Sequence, residues 1–242
     1  MNSYTEKFTL RSRDCDIMGT WRFSAILEEM QEAAGIHCDG MGWGRERLLE
    51  KGAVWVLART EVRMVRLPRV YEQISVETFH TPMRHRMFPR YFIITDGEGL
   101  EVGAASTIWM MMDVKTRESV SADTIGMKLP DNIGVRTPMG MPGLADMVEG
   151  EVRESLYSPV YTDLDMNQHV NNTRYADWIC NQLGTEVLKK KEISRMVLDY
   201  NAEVRPEQKV LFQFVSREDK CRLSGICEGK KAFDISCDLR DR

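Results

Sequence analysis

Long hydrophobic runs are missing from this chain: nowhere does an apolar stretch approach the ~18 residues that a membrane-crossing helix needs. The opening residues, Met1-Asn-Ser-Tyr-Thr-Glu-Lys, carry neither the apolar core of a secretory signal nor an Arg/Ser-rich transit segment. The six cysteines (Cys15, Cys38, Cys180, Cys221, Cys227 and Cys237) form no C-x-x-C pair and no zinc-like spacing. They read as reduced thiols of a cytoplasmic protein, and no metal or other cofactor is expected. No G-x-S-x-G occurs, which excludes the serine nucleophile elbow. The glycine cluster Gly40-Met-Gly42-Trp43-Gly44 lacks both the G-K-[ST] ending and the preceding strand of a phosphate loop. A strong charge of one sign is also missing: the net charge of −4 argues against general nucleic-acid binding. Asn171-Asn172-Thr173 is a nominal glycosylation sequon, which without a secretory signal is accidental.

What is present is more telling. In Asp163-Leu-Asp165-Met-Asn167-Gln-His169-Val-Asn171-Asn172, four polar side chains with catalytic potential occupy alternate positions: Asp163, Asp165, Asn167 and His169. In an extended segment alternate side chains share a side, so a carboxylate, an amide and an imidazole are expected to converge beside a helix start. That set suits polarising a carbonyl and activating water. A partial copy, Asp14-Cys-Asp16-Ile-Met18-Gly-Thr20, lies 149 positions earlier and aligns without gaps. It keeps both aspartates, but Met18 and Thr20 replace Asn167 and His169. Each copy runs into a helical pattern, with the stripe Ile26, Met30, Ala33, His37 in the first and Tyr175, Ile179, Leu183 in the second. Glu28 and Glu29 are expected near the positive end of the first helix, and Asn172 or Thr173 at the N-cap of the second. We read two related units, of which the second kept its chemistry.

After each helix the texture becomes β-rich. Strands are expected at 54–66, 72–80, 88–95 and 102–114, and again near 195–205, 208–216, 219–228 and 231–239. Turns at Asp96-Gly-Glu-Gly and Asp113-Val-Lys-Thr are short, which predicts antiparallel neighbours. A second helix is expected over 172–189. A Pro/Gly-rich stretch marks a linker, giving units at 1–130 and 151–242 with 131–150 between them. Each unit is then α+β, a long helix wrapped by an antiparallel sheet, and the chain a tandem hotdog. Residues 56–95 hold seven arginines against three glutamates, a basic stretch able to guide an acidic partner or else a solvated sheet face. Sixteen methionines suit adaptable apolar surface or ordinary core filling.

Asp163-Leu-Asp165-Met-Asn167-Gln-His169-Val-Asn171-Asn172-Thr-Arg-Tyr175-Ala-Asp-Trp178 closely resembles the central motif of the acyl-acyl-carrier-protein (acyl-ACP) thioesterases, double-hotdog proteins of bacteria and plastids. Met196-Val-Leu-Asp-Tyr200-Asn-Ala-Glu203 resembles that family's later, glutamate-bearing strand motif. Trp55-Val-Leu-Ala-Arg59, Ala105-Ser-Thr-Ile-Trp109, Asp113 and Thr116-Arg117 are similar to its N-terminal pattern. The resemblance implies hydrolysis of fatty acyl-ACP, a catalytic set of Asp165, Asn167, His169 and Glu203, and the acidic acyl carrier protein as partner. It implies a bacterial cytosolic member. Oligomeric state is left open, a homodimer among the options. Many members have a cysteine after the glutamate; Val204 stands there, which removes a thiol nucleophile at that position. A carboxylate activating water and a carboxylate attacking directly both remain open, as do hydrolysis of acyl-CoA and a non-catalytic acyl-thioester sensor. The histidines His37, His80 and His85 read as structural or surface groups.

Overall fold

The structure is a computed structural model that describes residues 2–130 and 132–242; Met1, and Asp131 at the start of the expected linker, lie outside the described residues. The chain divides into two compact units, Met1–Arg22 with Ile26–Pro142 and Phe23–Ala25 with Gly143–Arg242.

The first unit carries β1 (Tyr4–Thr9), α1 (Phe23–Gly40), α2 (Arg45–Glu50), β2 (Ala53–Met64), β3 (Gln73–His80), β4 (Phe88–Asp96), β5 (Glu101–Asp113) and β6 (Ser119–Val120). Its strands pair antiparallel in the order β1-β3-β4-β5-β2, with β6 beside β5. The expected stripe on α1 is the buried one: Ile26, Met30, Ala33 and His37 are each at most 3% exposed. Glu28 and Glu29 fall after the first helical turn, which holds no acidic residue, so the expected dipole pairing is absent. Both expected turns form around an aspartate. Asp96 Oδ1 accepts from the Glu98 and Leu100 amides, and Asp113 Oδ1 from those of Lys115 and Thr116.

The second unit carries β7 (Arg153–Tyr157), α3 (Arg174–Leu183), α4 (Thr185–Leu188), β8 (Lys191–Tyr200), β9 (Val210–Arg217), β10 (Lys220–Cys227) and β11 (Lys230–Asp241). Its order is β7-β9-β10-β11-β8, the order of the first unit repeated. The helix expected over 172–189 is broken at Gly184, whose φ of 81° with ψ of 163° is open to glycine alone. Tyr175 and Trp178 of α3 meet Phe233 of β11 at ring-centroid distances of 4.6 and 5.6 Å, and Trp178 meets Phe212 of β9 at 5.3 Å. Such pairs add about 0.5–1.5 kcal/mol each beyond simple burial. This helix-on-sheet unit, present twice, is the tandem hotdog.

Two sequence expectations are corrected. In each unit the strand just after the helices pairs with the last long one, β2 with β5 and β8 with β11, so only the remaining sequential strands are neighbours. The edge strands β1 and β7, each preceding a motif copy, were not expected at all.

Candidate active site

The motif folds as a tight loop, and the extended segment expected from its alternation does not form. Tyr161–Asp163 makes one 3-10 turn, Leu164 and Val170 bridge antiparallel, and residues 165–169 turn between them. The Asp165 amide donates to His169 O and the Gln168 amide to Asp165 O, both at 3.0 Å. Asp165 Oδ1 accepts from the Asn167 amide at 2.8 Å, while Gln168 sits at φ 63°. An aspartate that accepts from the amide two residues on makes an Asx turn, and this local bond outcompetes the strand. Asp163 turns inward and leaves the other three. It is buried, and its Oδ2 accepts from Tyr157 Oη at 2.6 Å and the Val160 amide at 2.9 Å. Burial, with that carboxylate adding to it, pushes Tyr157 up to about 12.

Glu203 reaches the loop from a separate segment. β8 ends at Tyr200, so Glu203 is a loop residue and not part of the strand expected near 195–205. Val204 O accepts from the Val170 amide at 2.8 Å, which docks this segment on the motif. The result places His169 Nε2 3.4 Å from Glu203 Oε2, with the two side chains 25% and 31% exposed. An Arg205 nitrogen lies 3.9 Å from the same Glu203 oxygen. On the loop itself, Asn167 Nδ2 donates to Asp165 Oδ2 at 3.4 Å, and Asn167 is exposed. Thus the four expected residues form two pairs, Asp165 with Asn167 and Glu203 with His169.

The supporting groups were not visible in the sequence. Tyr175 is buried, and its hydroxyl is raised above the ordinary range by burial, with the charges of Asp165 and Glu203 among the further causes. Its one signal was its place in a helical stripe. Tyr200 Oη donates to Asn172 O at 3.1 Å. Thr173 occupies the N-cap position of α3, but its hydroxyl donates to Asn171 Oδ1 at 2.9 Å, so it gives the helix no side-chain cap. Of the backbone amides at the α3 start, Val170 serves Val204 O, Asn171 serves Asp163 O, and Thr173 serves Asn171 Oδ1. Asn172 N–H has no hydrogen bond among the described residues.

The first copy reproduces the backbone bonds of this loop. Asp16 N–H donates to Thr20 O, Gly19 N–H to Asp16 O, and Arg22 N–H to Asp14 O, each 149 positions before its counterpart. Asp16 Oδ1 accepts from the Met18 amide, as Asp165 does from that of Asn167. The aspartate shared by both copies therefore has a structural duty. Trp21 N–H donates to Pro68 O where Val170 N–H donates to Val204 O, so the counterpart of Glu203 is Leu67. The first copy lacks the amide, the imidazole and the glutamate together.

The basic stretch is less of a patch than its sequence suggests. Arg90 is buried, Arg63 pairs with Glu61, and Arg66 with Glu72 and Asp96. Arg69, Arg84 and Arg86 remain exposed. Among the described residues, no group of three or more His, Cys, Asp or Glu side chains is placed to hold a metal ion, and no helix is long and apolar enough to cross a membrane.

Residues 1–124 match the acyl-ACP thioesterase N-terminal domain, and residues 148–232 match the acyl-ACP thioesterase C-terminal domain. A chloroplastic acyl-[acyl-carrier-protein] hydrolase of Cuphea viscosissima is 27% identical over 83% of this chain and 52% of its own length. A chloroplastic oleoyl-acyl carrier protein thioesterase of Coriandrum sativum is 29% identical over 86% of this chain and 61% of its own. The chain thus spans little more than half the length of these relatives. In fold, it is similar to an acyl-ACP thioesterase of Bacteroides thetaiotaomicron (TM-score 0.85, 23% identity, 98% of each chain). It is similar also to a 12:0-ACP thioesterase of Umbellularia californica (TM-score 0.82, 22% identity, 99% of this chain and 98% of that one).

Proposed function

The chain belongs to the acyl-ACP thioesterase family, and from that membership we propose that it hydrolyses the thioester of a fatty acyl group carried on acyl carrier protein, releasing the free fatty acid. The observation that carries the reading is the His169–Glu203 contact in the one loop copy that kept its amide and imidazole.

The chemistry follows from the two pairs. With Nε2 turned to Glu203, His169 keeps its other ring nitrogen, Nδ1, to take a proton from water. A base so placed contributes roughly 10²–10⁴-fold. The thioester oxygen gains negative charge as water adds. Asn167 Nδ2, held by Asp165, and Asn172 N–H at the α3 start are the donors for it. Each such donor lowers the barrier by about 3–4 kcal/mol. When the tetrahedral adduct collapses, the proton on His169 passes to the leaving sulfur. Direct attack by Asp165 is less favoured, because both of its oxygens already accept hydrogen bonds from Asn167. The second unit is thus the hydrolytic one, and the first, without Asn167, His169 and Glu203 equivalents, is the unit that binds the acyl chain.

The partner in this reading is the acidic carrier protein, met by the exposed Arg69, Arg84 and Arg86. Turnover of one acyl group carried in turn by carrier protein and by coenzyme A tests the substrate class. A higher kcat/KM on the carrier protein supports the reading; equal or reversed values favour an acyl-CoA thioesterase.

A further inference from the structure

The two units share a fold but differ sharply in one buried row of their sheets. In the first unit, His80 pairs with Arg90, Arg90 with Thr107, and Thr107 with Thr60, so four polar residues stand side by side across β3, β4, β5 and β2. Directly opposed residues point to the same face of a sheet. That face is the one under α1: Arg90 Nη1 lies 2.9 Å from His37 Nδ1, and Arg90 Nη2 donates to Cys38 Sγ at 3.3 Å. All four residues are at most 5% exposed. In the second unit, the corresponding row, reached through the same strand order and register, is Ser216, Cys221, Cys237 and Met196. The fold therefore does not require polar groups here.

Burying a guanidinium is costly unless an anion accompanies it. Among the described residues Arg90 meets only neutral acceptors, His37 Nδ1, Thr78 Oγ1 and the Cys38 thiol, which burial keeps protonated. Both ring nitrogens of His80 and the hydroxyl of Thr60 are buried without a hydrogen-bond partner. The Thr81 backbone lies near that ring but outside hydrogen-bond geometry. Burial, and then the Arg90 charge, hold His80 below its usual range and hence neutral, with one donor and one acceptor to offer. The neighbouring rows on the same face are apolar except for Thr78, which accepts from Arg90: Phe92, Ala105 and Val62 beside Thr78, then Val76, Ile94, Gly103 and Met64. Met64 Sδ fills the space that a Cβ at Gly103 would need, and an unbranched thioether can change rotamer to admit a chain.

We propose that this row is a binding site for the carboxylate of an aliphatic acid, with Arg90 as its counter-charge, His80 on the adjacent strand as its hydrogen-bond partner, and the alkyl chain lying over Phe92, Val62 and Ile94. The carboxylate has two sources: the head of a free fatty acid, or a second, terminal carboxylate on an acyl thioester. The first is independent of the hydrolytic reading and the second rests on it.

Calorimetric titration of the full chain with decanoate and with 1-decanol tests the first source. The parent should prefer decanoate by about tenfold or more, the scale of a charge-assisted contact. Arg90→Met should lose that preference, and His169→Ala should keep it, which separates this site from the hydrolytic one. Hydrolysis of 9-carboxynonanoyl-pantetheine against decanoyl-pantetheine tests the second source: a preference for the carboxylated thioester that Arg90→Met removes upholds the proposal with that source. His80→Phe, expected to weaken the preference several-fold, serves if Arg90→Met does not fold. No preference for the carboxylate in either arm, or a preference that survives Arg90→Met in a folded protein, overturns the site.

Discussion

Asn167 is the side chain by which, in the proposed function, a structural turn becomes a chemical one. In both copies an aspartate ties the loop, but only the second copy places an amide group on that aspartate, where Met18 stands in the first. Asn167→Ala should leave the turn intact, because its bond to Asp165 Oδ1 comes from the backbone. We expect kcat to fall by at least ~10²-fold while the melting temperature holds, the signature of a lost oxyanion donor. A second residue-scale test concerns Glu29 on α1. Burial, then the charges of Glu6, Glu32 and Asp14, push it from 4.5 up to about 7. A carboxyl whose folded value is raised favours folding fully below its unfolded value, and this contribution is lost as pH rises through the folded value. Between pH 4.5 and about 7, stability should therefore decline, and Glu29→Gln should flatten that decline. Thermal melts of both proteins from pH 4 to 8 check it; parallel curves would count against the assignment.

At the scale of elements, the loop, its helix and its sheet form a repeated device. Thr20 holds the position of His169, and its hydroxyl donates to Asp16 Oδ2 at 3.0 Å. Thr20→Ala should keep turnover within a few-fold, measured beside a melting curve; a collapse of hydrolysis in the folded variant would sink the division of labour between the copies. The same device explains what could be read in advance. Helix α1 was legible because its apolar stripe follows the 3.6 period, and β4 and β5 because β-branched and aromatic residues end at glycine or aspartate turns. β1 hid because Glu6 occupies one of its inward positions, and β7 because nearly all of it is exposed. Asp165, Asn167 and His169 were legible as candidates from the motif and Glu203 from the resemblance of its segment, yet their conformation was not. Period-2 spacing reads as a strand, whereas side-chain bonds to backbone amides made a turn. Gly19, opposite the left-handed Gln168, was the available clue. The approach of Glu203 to His169, like the row through Arg90, depends on strand register, which no local pattern reveals.

For the whole molecule, the account assigns electrostatics to encounter and the second unit to chemistry. Reversing the exposed Arg69 and Arg84 to Glu should raise the KM for acyl-ACP several-fold and spare that for acyl-CoA. Added salt should shrink the difference, since the Debye length falls from ~10 Å at 0.1 M to ~3 Å at 1 M. Steady-state kinetics with both substrates at two salt concentrations decide this; equal effects on both substrates would remove these arginines from docking. The central claim is that the His169–Glu203 pair drives thioester hydrolysis, and its most direct test is single-turnover hydrolysis of acyl-ACP by His169→Ala. The account predicts a rate lower by ~10²-fold or more with the fold intact by circular dichroism and melting. A folded His169→Ala protein that hydrolyses acyl-ACP at the parent rate would contradict it.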